Sequence, residues 1–424
     1  MAAYAQVLLY AIPFFIALIV IESLYGWLSK KQTLRSFDTM ASLYSGITNT
    51  IKNILGLTIA IVGYTWMYEQ IALVHIEATW LIYVISFIAI DFAGYVQHLM
   101  AHRINFFWNE HVVHHSSEEF NLPCALRQTI SNFISIQAFL LIPAALLGMP
   151  PKVIATIAPL HLFLQFWYHT KYIGKLGFLE YLIITPSQHR VHHAINPEYL
   201  DKNLGQIFPW WDRIFGTFQE ELDDVPCVYG TKKPAATWNP IIINFQHIWI
   251  LIKDAWRTKD WKAKFSIWLK PTGWRPDDMK EKYPIQVIDD PFSQNKYSTE
   301  PSGKLKTWAW FQHVLTYVFL FQMLFFFTEI GFPAMFAYGG FLMLHIYAST
   351  TLMDLNPYAV WVEGLKCLCG LGWMYFSGDW FGLAESLNSA IYIVAAYLIL
   401  SLLVVTYFST SELGPQKTMK HSLT

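Results

Sequence analysis

Runs of about 20 mostly apolar residues, long enough to cross a bilayer as a helix, recur along this chain and constrain its fold more than any other feature. The first occupies residues 7–28. Others lie at 54–67, 81–100, 130–147, 153–169, 308–327, 331–349, 360–376 and 387–407, about nine in all. The stretches 54–67 and 360–376 are short enough to be interfacial or re-entrant. The first run has no basic leader and no small-residue cleavage site before Lys30, so it reads as a span and not as a removable signal. Only 14% of residues are charged against 54% hydrophobic, where soluble domains carry roughly 25% charged residues. So apolar a chain is not disordered. Its 29 Lys+Arg against 30 Asp+Glu offer no basic excess for nucleic acid.

Basic residues set the orientation. Lys30, Lys31, Arg35 and Lys52 follow the first run, and Arg103 and Arg127 follow the third. Nineteen of the 29 Lys+Arg lie between positions 171 and 306, and Lys417 and Lys420 end the chain. Simple alternation puts these on one side, the cytoplasm, with the N-terminus outside and Lys152 as an exception. The segment 171–306 mixes Pro, Trp and charge and is too polar to span. It reads as a cytoplasmic cap whose short amphipathic helices lie on the lipid surface, with a soluble linker domain as the plain alternative. The expected fold is therefore all-α: a polytopic transmembrane helical bundle with a cytoplasmic helical cap, carrying a histidine-rich dinuclear metal site. Its expected divisions are N-terminal membrane helices (1–80), a catalytic unit (81–220), the cap (221–306) and C-terminal membrane helices (307–424).

Eight of the fifteen histidines fall in three clusters. They are His98 and His102, then His111, His114 and His115, then His189, His192 and His193. Residues three and four apart share a helix face, so each H-x-x-H-H cluster can aim its three imidazoles together. Neutral imidazole is the commonest protein metal ligand. One H-x-x-x-H alone is a weak signal, but three clusters on one side of a membrane are a strong one. Eight buried histidines without a metal would each need other partners. Eight ligands exceed the four of a structural zinc. Affinity alone does not select iron, but the lipid setting points to a redox pair and oxygen chemistry on a C–H bond. Zinc in a purified sample would then be a replacement metal. Cys124, Cys227, Cys367 and Cys369 form no zinc or redox spacing. A metal-binding membrane sensor or transporter is the reading from another class, but transporters place polar ligands near the midplane. These clusters fall at and beyond helix ends.

The pattern H-x3-H, H-x2-H-H, H-x2-H-H in a membrane context resembles the fatty acid hydroxylase/sterol desaturase superfamily. The flanks HHSSEEFNLPCALRQ, QFWYHT, ITPSQHRVHHAINPEYLDKN and WWDRIFGTF resemble its ether-lipid branch, the alkylglycerol monooxygenases and their bacterial relatives. The likeness runs from the third span to Phe218 and more weakly beyond. It implies two Fe ions held by His98, His102, His111, His114, His115, His189, His192 and His193, with His169 as a ninth ligand. It also implies O2, a membrane lipid substrate and hydroxylation of an alkyl chain. Hydroxylation beside an ether oxygen would release a fatty aldehyde and a glycerol. A sterol or fatty-acyl hydroxylase or desaturase with the same iron core is the alternative. Electrons must come from an external donor, because no flavin or nicotinamide fingerprint is present. Tetrahydrobiopterin is the cofactor of the ether-lipid branch. Arg103 stands where those relatives often carry an acidic residue and Gln188 where many carry His, which leaves pterin use here open. The membrane would be the endoplasmic reticulum in a eukaryote and the inner membrane in a bacterium.

Other residues carry weaker expectations. Asn203 is either a metal contact or a turn residue. Asp91, Gln97 and Gln188 are candidates to accept the outer N–H of ligand histidines, and Glu118 or Glu119 could do the same. Arg127 and Gln128 could hold a headgroup, and Arg103 and Arg190 a phosphate. Asp212 and Arg213 are expected to pair, and His161 to line a substrate tunnel. His75, His247, His313, His345 and His421 read as packing or surface residues. Glu329 and Asp354 read as helix ends, and Glu363 as an acid near the later spans.

Overall fold

The computed structural model of the chain describes residues 2–60, 63–132, 134–135, 137–383, 387 and 389–412. Lys417, Lys420 and His421 lie outside them. The architecture is helical. Among the described residues, strand pairing is confined to the two-residue parallel pair Ile59–Ala60 with Ile134–Ser135 and an isolated bridge between Ala194 and Tyr229.

Among the described residues, three helices are long and apolar enough to cross a membrane: Tyr4–Leu28, Trp80–Arg103 and Ala390–Ser411. They fall on the first, third and last expected runs. Helices Gly303–Phe325, Ala334–Met353 and Ala359–Ser377 fill the other C-terminal runs. Two expected spans are not single helices. The run 54–67 begins where one helix stops at Ile54, and its chain turns before a new helix starts at Tyr64. The run 130–147 is broken into pieces, including Gln137–Leu140 and Ile142–Leu146. In the run 153–169, helix Pro151–Phe163 ends six residues before His169. Hydropathy counts apolar side chains but does not register where the backbone turns.

Helix Ser36–Ile54 was not among the expected spans, because its apolar residues occupy one face only. It lies between the two halves of the molecule. Tyr44, Ile47 and Ile51 join a core with Leu320, Tyr338, Leu342 and Leu398 of the C-terminal helices. Asp38, Ser42 and Ser45 instead bond to the segment following the second histidine cluster. A second core packs Ile82 and Ile90 of helix Trp80–Arg103 against Val153, Ile154 and Ile157.

Within 221–306 the helices Pro240–Arg257, Trp261–Ser266 and Asp277–Lys282 are joined by turns. Asn239 and Asp260 cap the first two by accepting backbone N–H groups. The segment is tied to the histidine-bearing helix Asn105–His115. Asn105 Nδ2 donates to the carbonyls of Ile267 and Trp274, both at 3.0 Å, and Ile248 N donates to Asn109 Oδ1 at 2.9 Å.

The C-terminal bundle contains a charge pair that the apolar pattern concealed. Lys366 and Glu363 are buried and 2.6 Å apart, and Lys366 Nζ also donates to Tyr397 Oη and Ser401 Oγ at 3.2 Å. Asp354 terminates helix Ala334–Met353 as expected. It also accepts from Trp238 N at 2.8 Å and Tyr297 Oη at 3.0 Å, fastening the 238 and 297 segments to the bundle.

Candidate metal centre

Each histidine is placed by a local rule. Helix Trp80–Arg103 has a mostly apolar body, interrupted by the buried Asp91, and delivers His98 and His102 at its last turns. Helix Asn105–His115 carries the second cluster to its C-terminus. The third sits on the short helix Pro186–His192, started by Pro186 and by a reciprocal cap in which Thr185 and Gln188 satisfy each other's backbone N–H groups. His169 follows helix Pro151–Phe163 in a turn, its Nδ1 held by the carbonyl of Gln165 at 3.0 Å.

The structure brings all nine imidazoles together in two adjoining groups. One contains His98, His102, His111, His115 and His192; the other contains His114, His169, His189 and His193. Within each group, one ring nitrogen from every residue lies within 4.8 Å of the others. The expectation that each H-x-x-H-H cluster aims its rings at one point is corrected. Positions i and i+4 differ by about 40° around a helix, whereas adjacent positions differ by about 100°. His111 and His115 therefore serve one group while His114 turns to the other. His189 and His193 do the reverse of His192. Each H-x-x-H-H cluster thus bridges the two groups, whereas His98 and His102 both serve the first.

The donor set fits metal ions. Nδ1 of His98 faces the carbonyl of Leu204 at 2.7 Å, that of His114 the carbonyl of Arg127 at 3.3 Å, and that of His192 the carbonyl of Lys202 at 3.0 Å. A carbonyl has no proton to give, so Nδ1 is the donor in these rings and in His169, and Nε2 holds a bare lone pair. Yet His114 Nε2 and His169 Nε2 are 3.3 Å apart, and His98 Nε2 and His111 Nε2 are 2.8 Å apart. The pairs His111–His115, His169–His189 and His189–His193 have Nε2 separations of 3.0, 2.9 and 3.0 Å. Ligands at right angles around an ion, each about 2.1 Å from it, would stand about 3.0 Å apart. His102 Nε2 and His192 Nε2 are buried without a hydrogen-bond partner. Between His114 and His169, where both Nδ1 atoms face carbonyls, two Nε2 lone pairs face each other and are mutually repulsive unless a cation lies between them.

Electrostatics favour the ligand form of these rings. Burial, reinforced by neighbouring imidazoles, holds His111, His115, His169, His189, His192 and His193 well below the ordinary histidine pKa. His114 is lowered to about 3 by burial first and His98 next. Neutral imidazole is the metal-binding form.

Partners of the outer nitrogens differ from expectation. All four carbonyls that hold rings, those of Leu204, Arg127, Lys202 and Gln165, lie outside the three clusters' own helices. The acid at the site is Asp201, whose Oδ1 is 3.2 Å from His102 Nδ1. Arg103 Nε lies 3.8 Å from Asp201 Oδ2. Asp91 takes His161 Nε2 at 2.7 Å, Trp211 Nε1 at 2.8 Å and Ile207 N at 2.8 Å, so it anchors a loop and His161 instead of a cluster histidine. Asn203 is a turn residue with φ 51°; its side chain bonds the carbonyls of Gln188 and Gln219 and accepts from Gln219 N.

Arg127 holds no headgroup: it is buried, 2.8 Å from Asp38 Oδ2, and donates to Ser42 and Ser116. Arg190 pairs with Glu221 at 2.7 Å. Glu118 accepts from Tyr297 N, and Glu119 meets Lys296 at 2.6 Å, so neither orients a histidine. Asp212 and Arg213 do not pair. Asp212 accepts from Leu204 N and Gly205 N, and the Arg213 guanidinium lies over the rings of Phe218 and Tyr181. Sequence reasoning missed Asp38 and Glu22. Glu22 accepts from Leu122 N and Thr170 Oγ1, both at 2.8 Å, beside His169. An acid inside an apolar run is the signal that could have found Glu22.

Apolar rings wall the four-histidine group. The Tyr168 ring lies 4.2 Å from that of His189, and Phe120 packs on His193 at 5.3 Å and His169 at 5.9 Å.

A membrane-crossing helix carries histidines into a double imidazole nest, and comparison with known proteins gives the class to which such a site belongs here, the membrane-bound lipid hydroxylases. Residues 83–217 match the family model described as Fatty acid hydroxylase. The chain is 33% identical over 387 residues to alkylglycerol monooxygenase of Homo sapiens, covering 91% of this chain and 86% of that protein. It is 30% identical over 364 residues to the Xenopus tropicalis enzyme of the same name, covering 84% and 80%. An ornithine lipid hydroxylase of Rhizobium tropici is 28% identical over 135 residues, 32% of this chain and 41% of that one. No solved structure matches significantly. The chain belongs to the alkylglycerol monooxygenase family, and it is an integral membrane oxidoreductase that hydroxylates lipid.

Proposed function

We propose that this chain is a non-haem diiron monooxygenase that hydroxylates the alkyl chain of an ether lipid beside the ether oxygen. The observation that carries the reading is the pair of imidazole groups, five and four, in which carbonyls on Nδ1 leave the Nε2 lone pairs of His98, His114, His169 and His192 free. His98, His102, His111, His115 and His192 would hold one iron, and His114, His169, His189 and His193 the other. When bound, such a pair supplies O2 reduction and removal of hydrogen from an activated carbon.

The chain's own residues do the rest. Backbone carbonyls of Leu204, Arg127, Lys202 and Gln165 fix the tautomers and ring planes. Phe120 and Tyr168 keep water from the four-histidine side and give the alkyl chain an apolar wall. The balance is alkylglycerol plus O2, two electrons and two protons, giving water and a hemiacetal. The hemiacetal then opens to a fatty aldehyde and a glycerol. The electrons come from an external donor. In this reading the basic faces and the 221–306 cap are cytoplasmic, the chain crosses the bilayer up to about nine times, and the catalytic unit spans about 81–220.

The test is chemical. Protein purified without oxygen is assayed for iron, then given an alkylglycerol, tetrahydropterin and O2. Two irons per chain and release of fatty aldehyde are expected. Conversion of an acyl lipid or sterol with a redox-protein donor, and none of the alkylglycerol, would favour the hydroxylase alternative instead. The likeness to an ornithine lipid hydroxylase keeps that arm in the experiment.

A further inference from the structure

Beside the metal centre, two short elements expose large apolar side chains that none of the described residues covers. They are the turn Gly177–Tyr181 with Leu182, and helix Trp210–Phe215. Phe178 is 73% exposed and Ile214 66%, and Leu179, Tyr181, Leu182 and Phe215 are also exposed. Isolated apolar residues on a surface need no explanation, but a contiguous patch does.

The patch is continuous with a membrane-spanning surface. The Phe215 ring stacks on Tyr95 at 5.5 Å and lies 6.1 Å from Phe92, and Trp211 is 4.8 Å from Phe92. Phe92 and Tyr95 belong to helix Trp80–Arg103, whose lipid-side residues Trp80, Leu81, Val84 and Ile85 are exposed. About 20 residues cross the hydrocarbon core, and counted from Trp80 they end near His98. Phe215 therefore lies alongside the part of this helix that is inside the core, deeper than His102. The Arg213 guanidinium lies back over the rings of Phe218 and Tyr181. Its aliphatic stem can cover apolar surface while its charge reaches the headgroups.

Both elements are fixed to the histidines. Glu180 accepts from Ser187 Oγ at 2.5 Å and Thr185 Oγ1 at 3.2 Å, and its carbonyl accepts from Gln188 Nε2 at 2.7 Å, at the start of the helix carrying His189. Asp212 accepts from Leu204 N at 2.7 Å, and the carbonyl of the same Leu204 holds His98. Asp91, within the span, holds Trp211 Nε1.

We propose that the 177–182 turn and the 210–215 helix form a foot inserted among lipid acyl chains, fixing the metal centre at the rim of the hydrocarbon core. The occupant of the patch is the leaflet into which helix Trp80–Arg103 runs. A long alkyl substrate would then reach the imidazole nest without leaving that leaflet. This consequence rests on the lipid monooxygenase reading, whereas the insertion itself does not.

The test uses the full chain in phosphatidylcholine vesicles, with the exposed Cys369 replaced by Ser and a fluorophore on Phe178→Cys or Ile214→Cys. Unlabelled-site controls subtract signal from Cys227. Acyl-chain nitroxide should quench both labels several-fold more than aqueous iodide. A label on Asp277→Cys, at a 98% exposed side chain, should show the reverse. Iodide-dominated quenching at Phe178 and Ile214 would overturn the proposal. So would protection from both quenchers, which would mean that a second copy covers the patch. Separately, Phe178→Glu with Ile214→Glu should slow turnover of vesicle-embedded lipid about tenfold at unchanged metal content, and Phe178→Leu with Ile214→Leu should not. Because quenching needs no turnover, loss of the monooxygenase reading would leave that measurement intact.

Discussion

His114 and His169 come from segments 55 residues apart, yet their Nε2 atoms lie 3.3 Å from each other while both Nδ1 atoms are occupied by carbonyls. Neither ring has a proton to offer the other. The contact makes sense as two faces of one cation site, and it joins a residue of a helical histidine cluster to a lone histidine in a turn.

That relationship makes His169 a test of the four-histidine group. His169→Gln should bring the metal content from two per chain toward one, and turnover should fall at least about 100-fold, the upper range for disturbing such ligand shells. Metal analysis of protein purified without oxygen gives the readout. Two retained ions with normal turnover would remove His169 from the ligand set.

The buried Asp38–Arg127 pair should hold the same group from outside the histidine motifs. Asp38→Ala leaves the Arg127 guanidinium buried with its main countercharge gone, and breaking a buried pair this way costs about 3–5 kcal/mol. The carbonyl of Arg127 also positions His114, so metal should be lost more readily during dialysis against chelator. Thermal unfolding in detergent and the rate of metal loss are the measurements. Unchanged values for both would show that the pair is not needed.

Gly205 is packed where no side chain fits. A Cβ there would stand 2.6 Å from the Phe208 carbonyl oxygen and 2.8 Å from Asp212 Oδ2. Backbone must then shift in the segment whose Leu204 carbonyl orients His98. Gly205→Ala should lower stability by roughly 1–3 kcal/mol, the usual scale for overpacking, and weaken binding at the five-histidine position before the other. Equal retention of both ions would contradict this.

Metal-free protein should lose stability in mild acid. His114 titrates near 3 in the folded chain because it is buried, whereas an ordinary histidine titrates near 6.5. Between those values the unfolded chain binds a proton that the folded chain refuses, so stability falls as pH falls. The slope is about 1.4 kcal/mol per pH unit for each such group. It should be flat above about pH 7, where neither state is protonated. Unfolding midpoints of metal-free protein from pH 8 to pH 4 give the profile, and a flat line throughout would refute the burial.

The Lys366–Glu363 pair predicts a non-additive double substitution. Lys366→Met alone strands a buried carboxylate and should destabilise the chain by about 3–5 kcal/mol. Lys366→Met with Glu363→Leu should recover most of that loss. If the double variant is as unstable as the single one, the pair has a role beyond neutralising itself.

Several features were legible because they are local. The i, i+3 and i, i+4 spacing of His111, His114 and His115 announces a histidine cluster on a helix, though not its division between two groups, and the length of the run 81–100 announces a membrane helix. Hydropathy was less reliable where helices break, as at 54–67 and 130–147, and where one face only is apolar, as in Ser36–Ile54. Charge that pairs inside a bundle left no trace in composition, so Lys366 was invisible.

The sequence by itself determined that the chain is helical, lives in a membrane and carries eight histidines in three clusters at helical spacing, because apolar run length and helical periodicity are properties of neighbouring residues, whereas His169 was reached only through the family resemblance. Only the tertiary structure decided how those histidines divide into five and four. It also decided that Asp201, Asp38 and Arg127 support them in place of Asp91 and Asn203. Which carbonyl or carboxylate meets a ring depends on segments tens of residues apart, and no spacing along the chain encodes that distance.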